Sequence, residues 1–136
     1  MGFVLDTSVA LAWLLADEQS AAVDALIDRL SSETAHVPEI WPLEVGNALL
    51  VALRRGRIGE PDLAKLTRGL SALPIEVDHD TEGRALGDTL GLARRLGLTT
   101  YDASYLELAR RRSLPLATLD RRFRRACVAM GISALP

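Results

Sequence analysis

Mostly apolar runs alternate along the chain with longer stretches of mixed character, a pattern that predicts strands separated by helices. The runs that predict strands lie at residues 3–5, 35–38, 75–77 and 116–118, with a further edge strand at 132–135. Between them apolar residues recur every three or four positions, the spacing of a helix with one buried face. The helices predicted in this way cover residues 9–16, 19–32, 41–55, 60–73, 81–96, 101–112 and 120–130. We therefore expect a parallel sheet flanked by helices, in a single domain over residues 1–136.

Glycine and proline residues set several of these boundaries. Gly56 and Gly97 directly follow two predicted helices, where a glycine readily adopts the left-handed backbone that ends a helix. Pro61 fits the first turn of its helix, and Pro74 ends that helix. The helix over 81–96 is expected to be interrupted by its glycines, Gly87 and Gly91.

Three acidic residues follow predicted strands or open predicted helices. Asp6 directly follows the first strand, Asp120 comes two residues after the strand at 116–118, and Asp102 opens a helix. In sheets of this type the ligand crevice lies beyond the carboxyl ends of the strands, so we expect the three side chains to lie there. Each could instead serve as a helix N-cap, which is a common role of aspartate.

Glu44 occupies an unusual position in an apolar segment. In the stretch LEVGNALLVAL, residues 43–53, only Glu44 and Asn47 are strongly polar, and they share one helical face. We expect a helix this apolar to be buried nearly all round, and a buried carboxylate is costly unless it is paired or bound to a cation. The alternative is that Glu44 reaches solvent near the start of the helix, where the helix dipole favours an acid.

Four carboxylates at one sheet edge would repel one another, and a hard divalent cation would relieve that repulsion. Mg²⁺ binds a few carboxylates together with waters and a substrate phosphate, and such a site can activate water for displacement at phosphorus. Hydroxyl groups of Thr7, Ser8 and Thr118 flank the acids and could orient ligands or waters. For Ser8 we expect a capping role.

Cysteine and histidine are scarce. Cys127 is the only cysteine, so neither an intrachain disulfide nor a cysteine-rich zinc site can form, and a reducing, cytoplasmic setting is expected. His36 and His79 lack metal-ligand spacing, which favours Mg²⁺ or Mn²⁺ over Zn²⁺. The apolar run at 9–16 is too short to span a membrane, and no basic region precedes it, so we expect no membrane association.

Four segments together resemble a known family. They read LDTSV at 5–9, PLEVGNAL at 42–49, GLTTYDASYLELA at 97–109 and LPLATLDRRF at 114–123. In content, order and spacing they resemble the PIN domain of VapC toxins, which belong to bacterial and archaeal toxin–antitoxin pairs. The likeness extends over nearly the whole chain.

The resemblance implies a PIN-like three-layer α/β/α sandwich around a mostly parallel sheet of four to five strands. It implies an endoribonuclease that depends on Mg²⁺ or Mn²⁺ and cuts structured RNA such as tRNA or rRNA. It also implies a homodimer and a cognate VapB-like antitoxin that covers the site. The family's acidic residues fall here on Asp6, Glu44, Asp102 and Asp120.

In that family picture Asp6 and Asp102 are the central metal ligands, and Glu44 and Asp120 complete the site directly or through waters. Three further residues match polar positions near the family's site, namely Ser8, Asn47 and Thr118.

Arginine makes up all but one of the 16 basic residues, Lys65 being the exception, although the net charge is −2. Its planar fork suits phosphate groups. Arg121 and Arg122 directly follow Asp120, so they are candidate contacts for RNA phosphates or for acidic residues of an antitoxin. The alternative is that the arginines, which cluster at 54–57, 94–95, 110–112 and 121–125, lie on solvated helix faces.

Other functional classes fit the residues less well. A haloacid-dehalogenase-type phosphotransferase needs a second aspartate two residues after the first, where this chain has Ser8, and a receiver domain needs a lysine late in the chain. No P-loop motif is present. Two alternatives remain open: a non-catalytic PIN-fold interaction module whose acids are helix caps, and a nuclease that acts on DNA.

Overall fold

The computed structural model describes residues 1–136 and contains one five-stranded sheet in which every pair of neighbouring strands is parallel. The strand order across the sheet is β3-β2-β1-β4-β5. The strands are β1 (Gly2–Leu5), β2 (Thr34–Pro38), β3 (Ile75–Asp78), β4 (Leu116–Ala117) and β5 (Ala134–Leu135). The expected sheet is confirmed, including its edge strand near the end of the chain.

Helices fill the stretches between the strands, as predicted. They are α1 (Thr7–Leu14), α2 (Ala21–Asp28), α3 (Trp41–Arg54), α4 (Glu60–Ser71), α5 (Thr81–Arg84), α6 (Leu90–Leu96), α7 (Thr100–Arg112) and α8 (Arg121–Met130). The first helix begins two residues earlier than predicted, and α2 is shorter than predicted because Arg29–Ser31 forms a 3₁₀ turn. None of the helices is long and apolar enough to cross a membrane.

The segment between α5 and α6 is irregular. Residues Ala85–Thr89 form a π-helical turn in which Gly87 leaves helical geometry, with φ −108° and ψ −106°. The predicted interruption at Gly87 is confirmed, whereas the one at Gly91 is wrong because that residue lies inside α6. At the end of α6 Gly97 has φ +67°, the left-handed conformation expected at a helix end.

The core lies on both faces of the central strand. Phe3, Val4 and Leu5 are completely buried. Since successive side chains of a strand point to opposite faces, helices must cover the sheet on both sides, which is the three-layer arrangement. In β1, Val4 is aligned with His36 of β2 and Leu116 of β4. The carboxyl ends of these three strands therefore meet at one edge of the sheet.

The expectation that the apolar helix α3 is buried nearly all round is wrong. It buries Trp41, Val45, Leu49 and Ala52 but exposes 73% of Leu43. The helix lies at the periphery of the sandwich, so only one of its faces finds core residues to pack against.

A buried ion network joins α7 to the edge strand β3. Asp78, at the carboxyl end of β3, accepts hydrogen bonds from the guanidinium groups of Arg111 and Arg112. Arg111 also pairs with Glu107, with 2.7 Å between Nε and Oε1. Burial by itself would raise the pKa of Asp78, but the two arginines lower it to about 2. The network therefore stabilises the fold while Asp78 is ionised.

We predict that Asp78→Asn lowers the free energy of unfolding at neutral pH by about 3 kcal/mol, because Arg112 loses its only ion pair and Arg111 keeps only Glu107. The stabilisation exists above the unfolded-state pKa of 3.8 and is lost as the pH falls toward about 2. The difference between wild type and variant should therefore narrow in that acidic range. Urea denaturation over a pH series measures it.

Glu76→Gln is the matched control, because Glu76 is an exposed acid on the same strand without an ion pair. It should have no measurable effect on unfolding. A loss of stability for Asp78→Asn that equals that of Glu76→Gln would contradict the stabilising role of the network.

Candidate active site

Asp6 lies at the carboxyl end of β1 and is almost completely buried. Its Oδ2 atom accepts hydrogen bonds from the hydroxyls of Ser8, at 2.7 Å, and Thr118, at 2.8 Å. Burial raises its pKa; these two hydrogen bonds lower it and the nearby Glu44 raises it, with a net value of about 6. Asp6 occupies the N-cap position of α1, as its alternative interpretation expected, but its side chain makes no capping hydrogen bond.

Glu44 lies in the first turn of α3 and is half-buried rather than fully solvated. Its Oε1 atom accepts a hydrogen bond from the Tyr105 hydroxyl and a long one, 3.5 Å, from the Thr7 hydroxyl. Burial raises the pKa of Glu44, the bond from Tyr105 lowers it, and the charge of Asp102 raises it further. The carboxylate is thus held toward the sheet edge by hydroxyl groups and has no cationic partner.

Asp102 lies in the first turn of α7, and it is not the cap of that helix. Thr99 is the N-cap, and its hydroxyl accepts a hydrogen bond from the Asp102 N–H at 3.1 Å. The Asp102 carboxylate forms no ion pair, although the nearby Thr99 hydroxyl helps to lower its pKa. Burial raises its pKa, the charge of Arg122 lowers it, and the charge of Asp120 raises it.

Asp120 is the exposed N-cap of α8, which confirms the alternative interpretation of this residue as a helix cap. Its Oδ1 atom accepts a hydrogen bond of 2.7 Å from the Arg122 N–H. Its own N–H donates to the Thr118 hydroxyl, at 3.1 Å. Capping and participation in a site are compatible here, because a carboxylate has a second oxygen that capping leaves free.

The four predicted carboxylates form a series in which the charge of each raises the pKa of the one before it. Glu44 raises the pKa of Asp6, Asp102 raises that of Glu44, and Asp120 raises that of Asp102. None of the four forms an ion pair with a lysine, arginine or histidine. Each acid thus lies near enough to the next to affect its ionisation, and the one cation that acts on them, Arg122, does so without forming an ion pair.

These residues are not arranged as a closed metal cage. No group of three or more His, Cys, Asp or Glu side chains is placed to hold a metal ion. The donors that the site offers are carboxylate and hydroxyl oxygens, which are the ligands preferred by Mg²⁺ and Mn²⁺. Mg²⁺ retains several waters in proteins, so it needs only one or two direct carboxylate ligands. The donor set therefore fits a hydrated divalent cation.

Two hydroxyl residues connect the ends of neighbouring strands. Ser8 donates to Asp6 and also accepts a hydrogen bond of 3.0 Å from the Leu119 N–H. The buried Thr118 donates to Asp6 and accepts from the Asp120 N–H. The expected capping role of Ser8 is wrong, because its hydroxyl joins the β1–α1 and β4–α8 junctions instead.

Tyr105 is a site residue that was not predicted from the sequence. It is 1% exposed, and its hydroxyl lies 3.0 Å from that of Thr7 while it donates to Glu44. Burial and the Glu44 carboxylate raise its pKa well above the usual range, so the phenol keeps its proton. One signal was present: Tyr105 lies three residues after Asp102 and so shares its face of α7.

The other predicted site residues lie at the surface. Asn47 is exposed on α3, one turn after Glu44, and its side chain makes no hydrogen bond. Arg121 and Arg122 are exposed in the first turn of α8, and their guanidinium groups form no ion pair. Their roles stay predictions.

Comparisons with known proteins agree with this architecture. A family model described as "PIN domain" matches residues 3–129. Ribonuclease VapC3 of Pyrobaculum aerophilum is 28% identical over 121 residues, which cover 89% of this chain and 91% of the relative. Ribonuclease VapC9 of Mycobacterium tuberculosis is 29% identical over 124 residues, which cover 88% of this chain and 86% of the relative. These relatives confirm the resemblance to VapC.

Two solved structures are similar to the whole chain. The crystal structure of PAE2754 from Pyrobaculum aerophilum has a TM-score of 0.71 and 26% identity, and the match covers 98% of this chain and 83% of that one. FitAcB from Neisseria gonorrhoeae has a TM-score of 0.67 and 19% identity over 98% of this chain and 96% of that one, a likeness of fold alone. Since the family model extends from β1 into α8, the chain belongs to the PIN domain family.

Proposed function

We propose that this protein is a metal-dependent endoribonuclease, the toxin of a type II toxin–antitoxin pair, that hydrolyses phosphodiester bonds in RNA. The observation that carries the proposal is the series of four carboxylates, Asp6, Glu44, Asp102 and Asp120, without a cationic partner at the carboxyl edge of the sheet. Such a site suits a divalent cation and a phosphodiester better than it suits a protein ligand.

The names of the relatives support the same activity. The two VapC relatives described above are named ribonucleases and align with nearly their whole length. We extend that activity to this chain, with tRNA or rRNA as the expected target.

In the proposed mechanism Asp6 and Asp102 are the central ligands of Mg²⁺ or Mn²⁺, and Glu44 and Asp120 complete the site directly or through waters. The ion, when bound, supplies positive charge at the phosphate and promotes ionisation of the attacking water. No side chain needs to act as the nucleophile. Carboxylates whose pKa is raised by burial gain more from a bound cation than solvated ones do.

The remaining residues hold the ligands or the substrate. Ser8 and Thr118 fix one oxygen of Asp6, which leaves Oδ1 without a side-chain partner and able to bind an ion or a water. The Tyr105 hydroxyl likewise fixes Oε1 of Glu44. Arg121 and Arg122 are proposed to contact RNA phosphates.

The proposed protein partners are a VapB-like antitoxin and a second copy of this chain. Several large apolar side chains are exposed and offer surface that such partners would cover. Apart from Met1, the most exposed of these are Leu86, Val128 and Leu43.

We predict that the purified protein cuts a total RNA pool into discrete fragments with Mg²⁺ or Mn²⁺, and that EDTA abolishes the cleavage. Asp102→Asn should lower the rate by at least about 100-fold, because an amide cannot replace a carboxylate ligand. Asp24→Asn, a change of an exposed aspartate on α2, should cut like wild type. Gel electrophoresis with fragment sequencing provides the measurement.

Three other outcomes would contradict this proposed function. Cleavage that persists in EDTA would contradict the metal site. Cutting of DNA in place of RNA would favour the DNA nuclease. A protein that binds a partner but cuts no nucleic acid would be the interaction module.

We predict that Asp6→Asn abolishes cleavage yet stabilises the metal-free protein at neutral pH. The pKa of Asp6 is raised from 3.8 to about 6, so ionised Asp6 destabilises the fold above that range. The gain should be about 1–3 kcal/mol, since one pKa unit corresponds to about 1.4 kcal/mol. An asparagine oxygen can still accept the bonds from Ser8 and Thr118.

Urea denaturation in EDTA over a pH series tests this prediction. The advantage of the variant should be absent below pH 3.8 and should grow as the pH rises to about 6. A variant that is less stable than wild type at neutral pH would show that the Asp6 carboxylate stabilises the fold.

We predict that Tyr105→Phe lowers activity about 10–100-fold and raises the metal concentration needed for half-maximal activity, because Glu44 loses the group that orients it. The Tyr105 ring packs 5.8 Å from the ring of Phe123, and phenylalanine can make the same contact. Tyr101→Phe is the matched control, since Tyr101 is an exposed tyrosine on the same helix. An unchanged metal requirement in Tyr105→Phe would reject the positioning role.

A further inference from the structure

A groove lies next to the candidate active site, between the end of α6 and the first turns of α8. We call it the α8 groove. Leu96 and Leu98 line one side, and Arg122, Arg125 and Ala126 line the other, around a cavity of about 290 Å³. The lining thus combines apolar surface with two guanidinium groups. A nucleotide has the matching character, with a flat base that stacks on apolar surface and an anionic phosphate.

The two arginines of the groove are free to bind a ligand. Neither Arg122 nor Arg125 takes part in an ion pair, and neither guanidinium makes a hydrogen bond within the protein. Their neighbour Arg124 differs, because its guanidinium donates to the carbonyl oxygens of Thr118 and Pro136. Positive charge without an internal partner is therefore concentrated on the face of α8 that lines the groove.

Arg122 connects the groove to the carboxylates. Its backbone N–H donates to Asp120, and its charge lowers the pKa of Asp102. Arg125 lies three residues further along α8, about 4.5 Å along the helix axis and away from Asp120. Arg125 therefore lies about one helical turn further from the carboxylates than Arg122 does.

We propose that the α8 groove binds the nucleotide adjacent to the scissile bond in a single-stranded stretch of RNA. Arg125 contacts the phosphate beyond the one at the carboxylates, and Leu96 and Leu98 pack against the base. This inference rests on the proposed ribonuclease function. The occupant is RNA rather than an acidic protein segment, because the groove adjoins the carboxylates and combines two leucines, which suit a base, with two unpaired guanidinium groups, which suit phosphates.

The binding experiment uses the 136-residue chain in EDTA, so that no cleavage occurs. The probe is a short fluorescein-labelled single-stranded RNA whose anisotropy is measured over a range of salt concentrations. Arg125→Ala should weaken binding roughly tenfold, the loss expected for one charge-assisted hydrogen bond. It should also reduce the slope of log affinity against log salt by about 0.7, because one phosphate contact is lost.

Arg68→Ala is the matched control. Arg68 is an exposed arginine on α4 that forms no ion pair and does not line the groove. Its removal changes the net charge by the same amount, so a general electrostatic effect would appear equally in both variants. We expect wild-type affinity and slope for Arg68→Ala.

A cleavage experiment with Mg²⁺ tests which nucleotide of the substrate Arg125 contacts. The substrates are an RNA dinucleotide with the sequence of the cut site and versions extended by a single nucleotide on either side. Wild type should cut one of the extended versions with a higher kcat/KM than the dinucleotide. Arg125→Ala should lose that gain through a raised KM, with kcat and the cutting of the dinucleotide unchanged.

Two results would overturn the proposal, and they differ in meaning. If wild type cuts RNA with Mg²⁺ but Arg125→Ala binds and cuts extended RNA as well as wild type does, the groove is not a nucleotide site, and a protein partner becomes the better occupant. If wild type neither binds nor cuts RNA, the proposed function fails and the groove assignment fails with it.

Discussion

The carboxylate of Asp6 is held almost without contact to water because the strand that carries it lies at the centre of a sheet covered on both faces. Two hydroxyl groups compensate for part of the lost hydration, and they come from segments more than a hundred residues apart in the chain. The same two hydroxyls accept backbone hydrogen bonds from Leu119 and Asp120. The position of Asp120 and the start of α8 therefore depend on the network around Asp6.

Asp78 shows how much of the chemistry of an acid depends on its surroundings. Like Asp6 it lies at the carboxyl end of a parallel strand and is buried. Two arginines from α7 lower its pKa to about 2, whereas burial near Glu44 raises that of Asp6 to about 6. The first acid is neutralised inside the protein and stabilises the fold. Asp6 has no such partner, so a bound cation would stabilise its ionised form, as the proposed metal site requires.

Helix α7 serves both of these regions. Asp102 and Tyr105, near its beginning, belong to the candidate active site, and Arg111 and Arg112, at its end, pair with Asp78. The middle of the helix is buried, and it packs against β1 and β2. Fixing both ends of one helix places Asp102 relative to Asp6 more firmly than a loop could.

The alternation of strands and helices, and hence the parallel sheet, follows from the order of residues alone, because periodicity and turn residues act within a few positions of each other. The positions of Asp6 after a strand and of Asp120 at a helix start could be predicted in the same way, since both follow from the order of elements along the chain. Which acids form ion pairs could be learned only from the folded protein. The structure also revealed the contact of Tyr105 with Glu44, which joins residues 61 positions apart, and the one-sided burial of α3. Such contacts depend on how distant segments pack, and local pattern carries no information about the partner that each side chain will meet.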